Sequence, residues 1–146
     1  MAITSAICNS FKQEILEAEH NFTASTGNTF NLALYTSSAT LGAGTTAYTT
    51  TEEIPNTSGT AYTAKGKALT SVTPTLDSST AVCDFADVSW TSASFTANGC
   101  LIFNDSHSTD AAVCAIAFGG DKTVSSGTFT IQFPAAAATT AIIRIA

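Results

Sequence analysis

The sequence is poor in charged residues, in long apolar runs and in the residues that build most metal and catalytic sites. Only 11% of its 146 residues are Asp, Glu, Lys or Arg, and five of these are basic; an ordinary soluble domain has roughly 25% charged residues. Because phosphate binding needs clustered cations, this scarcity and the net charge of -6 exclude a nucleic-acid surface. The N-terminal segment has no basic region and no apolar stretch of signal-peptide or membrane-span length, so we predict cytoplasmic synthesis and no membrane contact.

The chain has two histidines, His20 and His107, and neither belongs to a zinc-binding motif. His107 lies in the polar stretch Asn104 to Asp110, where Ser, His and Asp occur together. Catalytic triads, however, are assembled across a fold rather than within one turn. We therefore predict no enzymatic activity, no metal and no cofactor.

The four cysteines lie in apolar contexts without a Cys-x-x-Cys pair, which favours buried, reduced thiols over a disulfide framework or a zinc site. They are Cys8, Cys83, Cys100 and Cys114. A bridge between Cys100 and Cys114 is the alternative, because the strands that carry them are expected to form a hairpin. The sequence leaves open whether any of the four is oxidised.

Hydroxyl side chains supply the polarity that charge does not. The 26 threonines favour strands and the 16 serines favour turns. In Thr128 to Phe133 apolar residues alternate with polar ones, and the run Ala141 to Ala146 carries three isoleucines. Both patterns predict strands, so the last residues are expected to lie in a sheet.

Residues 5–20 predict the only helix, with Ile7, Phe11 and Ile15 on one face and Thr4 or Ser5 as its cap. This apolar stripe must bury against the chain's own sheet or against a neighbouring chain.

Elsewhere turn-forming residues recur about every 8–12 positions, a spacing typical of β-sandwiches. Turns are predicted at Asp77 to Ser79, at Ser106 to Asp110 and at Gly119 to Asp121, and Thr29 to Thr36 predicts a half-buried strand. The sequence predicts one mainly β domain over residues 1–146: an antiparallel β-sandwich, Ig-like or jelly-roll-like, with one N-terminal α-helix.

Ser37 to Gly59 is too long and too weakly patterned for a tight hairpin loop. We expect this excursion to reach outward, either as a contact with other subunits or as a mobile surface loop. The only tryptophan, Trp90, predicts an anchor in the core or in an interface, and its alternative is a platform for stacking a sugar.

Four stretches together resemble a family of small virion structural proteins encoded by tailed bacteriophages. They are AICNSFKQEIL (Ala6 to Leu16), FNLALYTSSATLGAGTTAYTTTEEI (Phe30 to Ile54), VSWTSASFTANGCLIFND (Val88 to Asp105) and FGGDKTVSSGTFTIQFP (Phe118 to Pro134). The stretches are spread from Ala6 to Pro134, over nearly the whole length of the chain. The resemblance implies a non-enzymatic component of a virion, with no catalytic or ligand-binding residues to transfer.

We therefore expect a capsid decoration, or cement, protein that bridges neighbouring capsomers and stabilises the head. Its expected partners are the major capsid protein or other virion proteins, and further copies of itself in a dimer or trimer. The alternatives are a tail, neck or fibre-associated subunit, and an adhesin that binds host glycans around Trp90. The expected contact residues come from the helix stripe and from the region of the excursion: Ile7, Phe11, Ile15, Tyr48, Ile54 and Tyr62.

Overall fold

The computed structural model describes residues 2–146 and shows a mainly β chain with two antiparallel sheets and one short N-terminal helix. This confirms the predicted fold class. The elements are β1 (Ala6–Ile7), α1 (Asn9–Leu16), β2 (Phe30–Tyr35), β3 (Lys67–Ala68), β4 (Ser71–Asp77), β5 (Thr80–Phe85), β6 (Val88–Asn104), β7 (Ala111–Ile131) and β8 (Ile143–Ile145). The larger sheet has the strand order β1-β7-β6-β2-β3 and the smaller one β4-β5-β8.

The long hairpin β6–β7 dominates the larger sheet, and its turn lies at 105–110 as predicted. The predicted turn at Gly119 to Asp121 is wrong, because β7 runs through it. Ala97 pairs with Lys122 and Gly99 with Ala117, so β7 bulges there. Gly119 and Gly120 have φ values of 74° and 143°, and their missing side chains allow this backbone.

The hairpin is strongly bent. Register shifts occur at several points along β6 and β7, and bulges of this kind bend the strands that carry them. As a result the rings of Phe118 and Phe129 are only 6.3 Å apart, although the two residues are far apart along β7. The bend closes the hairpin around Trp90 and Phe95, whose side chains are buried.

Strand β2 is buried along its whole length, whereas the sequence predicted a half-buried strand. It is paired with β6 on one side and with β3 on the other. The segment that follows β2 also folds back onto its end, where the Ile54 N–H donates to the Leu34 carbonyl at 2.9 Å. Alternating polarity in the sequence therefore does not correspond to an exposed face.

The helix is shorter than the predicted 5–20. Ala6 and Ile7 form strand β1 against β7, and the extended residue Cys8 donates its N–H to the Val113 carbonyl at 3.0 Å. The residues that were predicted to form the first turn of the helix therefore pair with the sheet instead. The predicted caps Thr4 and Ser5 lie outside α1, and no side chain caps its N-terminus at Cys8.

Aromatic rings join the helix and both sheets into one core. Phe22 stacks on Phe30 of β2 with centroids 4.2 Å apart, and Phe11 of α1 lies 6.0 Å from Phe22. Phe85 of β5 contacts Phe30 at 6.0 Å and Phe133 at 5.5 Å. Since each large ring removes apolar surface from water, this cluster fixes the smaller sheet against the larger one.

The C-terminal strand forms as predicted. Ala81, Val82 and Cys83 of β5 pair with Ile145, Arg144 and Ile143 of β8. All four cysteines are buried and free, so the alternative Cys100–Cys114 bridge is absent. Burial raises the pKa of Cys8 to about 11 and those of Cys83 and Cys100 to about 12.

We predict that the four thiols do not react with a thiol-specific chromogenic disulfide in the native protein near neutral pH, because the thiolate is the reactive form and burial disfavours it. All four should react once the chain is unfolded in denaturant. Rapid reaction of a native thiol would contradict their burial.

Candidate functional site

An apolar groove lies between α1 with the loop after it and the smaller sheet. Its volume is about 450 Å³, within the size range of natural ligand pockets. Ring and aliphatic side chains dominate its wall. The lining residues are Phe11, Ile15, Ala18, His20, Asn21, Phe22, Thr23, Pro74, Ala81, Val82, Cys83, Ile143, Arg144 and Ile145.

The groove forms where the inner face of the smaller sheet extends beyond its cover. Cys83 and Ile143 pair across β5 and β8 and are buried. Two positions along β5, Ala81 lies on the same face, with Leu76 opposite it on β4 and Ile145 on β8. Leu76 is 72% exposed and Ile145 58% exposed, so this apolar row is open to water.

The helix forms the other wall of the groove. Phe11 is buried and Ile15 is half-buried, both among the lining residues. Leu16, the next residue, is 88% exposed at the end of α1. Leu16 and Leu76 do not line the groove, so the large apolar lining residue that is most open to water is Ile145, on the sheet side.

His20 lies at the helix side of the groove with a fully buried side chain. Its Nε2 is 2.7 Å from Oε2 of Glu14, and its Nδ1 is 3.1 Å from Nδ2 of Asn104. The Asn104 amide oxygen accepts the Ser106 N–H at 3.0 Å, so the amide nitrogen is the donor to Nδ1. The proton of a neutral His20 is then on Nε2 and is donated to Glu14.

Through these bonds His20 holds the helix and the loop after it against the end of β6. Its acceptor and its donor are both used, and the Asn104 amide also donates to the Glu19 carbonyl at 3.2 Å. Asn104 ends β6, so these bonds tie the loop after α1 to the turn of the long hairpin. They hold one wall of the groove against the larger sheet.

The structure brings the two histidines together, which their distance in the sequence did not indicate. The rings of His20 and His107 are stacked with centroids 6.2 Å apart. His107 Nδ1 accepts the Thr109 backbone N–H at 3.3 Å, and its Nε2 is 3.6 Å from Oε2 of Glu19. His107 thus stabilises its own turn and contacts the loop after α1.

The structure places the predicted contact residues at different depths in the chain. Phe11, Ile54 and Tyr62 are at most 4% exposed and belong to the chain's own core. Phe11 and Ile15 line the groove, but Ile7 and the three residues Tyr48, Ile54 and Tyr62 do not. Ile7 lies in β1 and, like Tyr48, packs partly buried against the core.

The excursion folds inward rather than outward because the carboxylate of Glu53 gathers it. Glu53 accepts the hydroxyls of Tyr48 at 2.6 Å and Tyr62 at 2.7 Å, and the Lys65 N–H at 2.8 Å. The Lys65 ammonium pairs with Asp105 at 2.8 Å and Asp110 at 2.9 Å. The excursion is thereby bound to the turn of the long hairpin, and the predicted outward reach is wrong.

Trp90 is an anchor of the core. It is 1% exposed and lies 6.1 Å from the Tyr62 ring and 6.2 Å from the Phe129 ring. The Lys67 ammonium lies 5.5 Å from the ring centre. The indole has no open face on which a sugar could stack.

Among residues 2–146 no group of three or more His, Cys, Asp or Glu side chains could hold a metal ion. Over the same residues, no helix has the length and apolar character needed to cross a bilayer. No family model, curated protein or solved structure matches the chain.

We predict that Glu53→Ala destabilises the protein by about 2 kcal/mol, because two tyrosine hydroxyls lose their acceptor. Chemical denaturation followed by Trp90 fluorescence measures the change. Glu52→Ala is the matched control, since the carboxylate of the exposed Glu52 accepts only the Thr36 hydroxyl, at 3.0 Å, and its backbone carbonyl, which accepts the Thr36 N–H, remains in the variant. Equal losses in the two variants would contradict the role of Glu53.

The tyrosines give a second test, in alkaline solution. Burial, together with the Glu53 carboxylate, raises the pKa of Tyr48 to about 12, and burial raises those of Tyr35 and Tyr62 further. An unfolded tyrosine ionises near pH 10. The unfolded chain therefore loses these protons first, and the tyrosine contribution to the free energy of unfolding falls as the pH rises above about 10.

Tyrosinate absorbance in the native protein should accordingly appear only well above pH 10, whereas in denaturant all three tyrosines should titrate near 10. The four buried thiols have the same effect. Because thiols of the unfolded chain ionise near pH 8.5, their contribution to the free energy of unfolding falls as the pH rises above about 8.5. A native tyrosine with a midpoint near pH 10 would show that the excursion is not packed as described.

Proposed function

We propose that this chain is a structural protein of a phage virion, and specifically a capsid decoration protein that bridges neighbouring capsomers. The observation that carries the proposal is the open apolar groove, whose wall includes Ile145, 58% exposed, and beside which Leu76, 72% exposed, continues the apolar row. Apolar surface left in contact with water marks places where proteins meet. The resemblance of four long stretches to small virion proteins supplies the setting.

The composition of the surface supports the same function. A charge-poor surface rich in Thr and Ser loses little solvation energy when it meets another protein. Each Å² of apolar surface that a partner covers contributes roughly 25 cal/mol. The groove therefore offers a place where contact is favourable, and the rest of the surface opposes contact only weakly.

Decoration of a shell needs only modest affinity at each site. A standard protein–protein interface covers roughly 1,600 Å². When one subunit touches two neighbours, the second contact forms at a high effective concentration, so weak contacts together hold strongly. In this proposal the groove receives apolar side chains of the major capsid protein or of another virion protein, and the protein resides in the virion after synthesis in the host cytoplasm.

A tail, neck or fibre-associated subunit is the alternative within the same class, and the number of copies per virion separates the two. Many copies spread over the head fit decoration, and a few copies at one vertex fit the tail or neck. The glycan-binding alternative required an exposed Trp90 ring, and this ring is buried.

We predict that virions lacking this protein release their DNA at lower temperature and after milder osmotic shock than complete virions. Adding the purified chain back should restore their resistance. Undecorated particles that are as resistant as complete ones would contradict the cement function.

The groove itself is tested by Ile145→Lys, which places a charge on its wall. This variant should fail to bind undecorated heads. Val72→Lys is the control, because Val72 is also exposed, at 44%, but does not line the groove and lies opposite Asp84. Equal binding of the two variants would show that contact is made elsewhere.

A further inference from the structure

One edge of β7 has no neighbouring strand over much of its length. Strand β1 pairs with β7 only at Cys114 and Ala115, and β6 lies along the other edge. In the described part of the chain no strand pairs with the outer edge of β7 from residue 117 to Ile131. Backbone N–H and C=O groups along such an edge are available to another strand.

The far end of the hairpin is a two-stranded ribbon, because β2 pairs with β6 only from Gly99 to Asn104. A ribbon of two strands is marginally stable unless something covers it. The chain between the excursion and β4 contacts the β6 edge, where the Ser94 N–H donates to the Thr60 carbonyl at 3.3 Å and the Lys67 ammonium of β3 donates to the Ser89 carbonyl. On the β7 edge the Ser5 hydroxyl accepts the Ala117 N–H at 2.9 Å, but within residues 2–146 no strand pairs with this edge from Gly127 to Ile131.

The last regular part of this edge, Gly127 to Ile131, lacks the usual protection of exposed edges. Natural proteins protect edges with Lys, Pro or bulges. The segment GTFTI has no charge and no proline. One register shift ends at Gly127, and a second lies between the pairs Ala93–Gly127 and Trp90–Phe129, where the extra residue belongs to β6 and not to β7. The Thr, Phe and Ile residues of GTFTI are good strand formers.

The segment is also complementary to itself. In an antiparallel pair of two copies centred on Phe129, each Phe129 lies opposite the other, and each Thr128 lies opposite a Thr130. Aromatic pairs and Thr–Thr pairs are favourable cross-strand neighbours, and no like charges meet. Within one chain Trp90 already pairs with Phe129, so the aromatic row would continue from one copy into the other.

We propose that two copies of this chain associate through the β7 edge, with antiparallel pairing of Gly127 to Ile131 around a two-fold axis at Phe129. The two larger sheets then form one continuous sheet across the dimer. The proposal specifies how copies meet, which the proposed function leaves open, and it rests on that function only for its biological setting.

Two double variants at the same positions test the register. Thr128 and Thr130 are exposed, and in the proposed dimer each faces the other across the axis. Thr128→Lys with Thr130→Lys places like charges opposite each other and should raise the dimer dissociation constant at least about tenfold. Thr128→Lys with Thr130→Glu places opposite charges there and should keep the dimer. Sedimentation equilibrium of the purified chain measures both.

Far-UV circular dichroism and Trp90 emission establish that each variant is folded. Three results would overturn the proposal: a wild-type chain that is monomeric at its solubility limit, a Lys–Lys variant as dimeric as the wild type, or equal loss of the dimer in both variants. Because these measurements use the purified chain alone, their failure leaves the virion experiments unaffected.

Discussion

The bent hairpin β6–β7 holds the other parts of the fold in place. Its turn anchors both the excursion, through Lys65, and the loop after α1, through Asn104. Its bulged middle lets it close over Trp90. Without the bend the strands would continue as a flat ribbon, and Phe118 and Phe129 could not approach one another.

Polar groups gather the irregular segments onto this frame. Glu53 collects two tyrosine hydroxyls and a backbone N–H, and His20 joins Glu14 to Asn104. Nearly every donor and acceptor in the two networks is hydrogen-bonded. These bonds offset the cost of removing the polar groups from water. The apolar groove is open beside the second network, because the helix is short and the smaller sheet extends past it.

The sequence predicted what depends on local pattern. The strand at the C-terminus, β2, the turn after Asp77 and the burial of the cysteines followed from alternation, turn residues and apolar context. It could not predict features that depend on distant partners. The first turn of the helix was lost to pairing with β7, and the Gly119–Gly120 turn became a bulge because β6 continues opposite it. The sequence does not distinguish Glu53 from other loop carboxylates, because no local pattern shows that it accepts the hydroxyls of Tyr48 and Tyr62.

Among the residues that line the groove, the sequence predicted a contact role only for Phe11 and Ile15. The β8 residues on the opposite wall come from the other end of the chain, and no local pattern links them to the helix. We propose that this chain acts by presenting surfaces to other chains. An electron cryo-microscopy map of the virion would show this at once. We expect this chain on the outside of the head, with the groove filled by apolar side chains of a neighbouring protein. A groove left open to solvent, or closed over a small molecule, would contradict it.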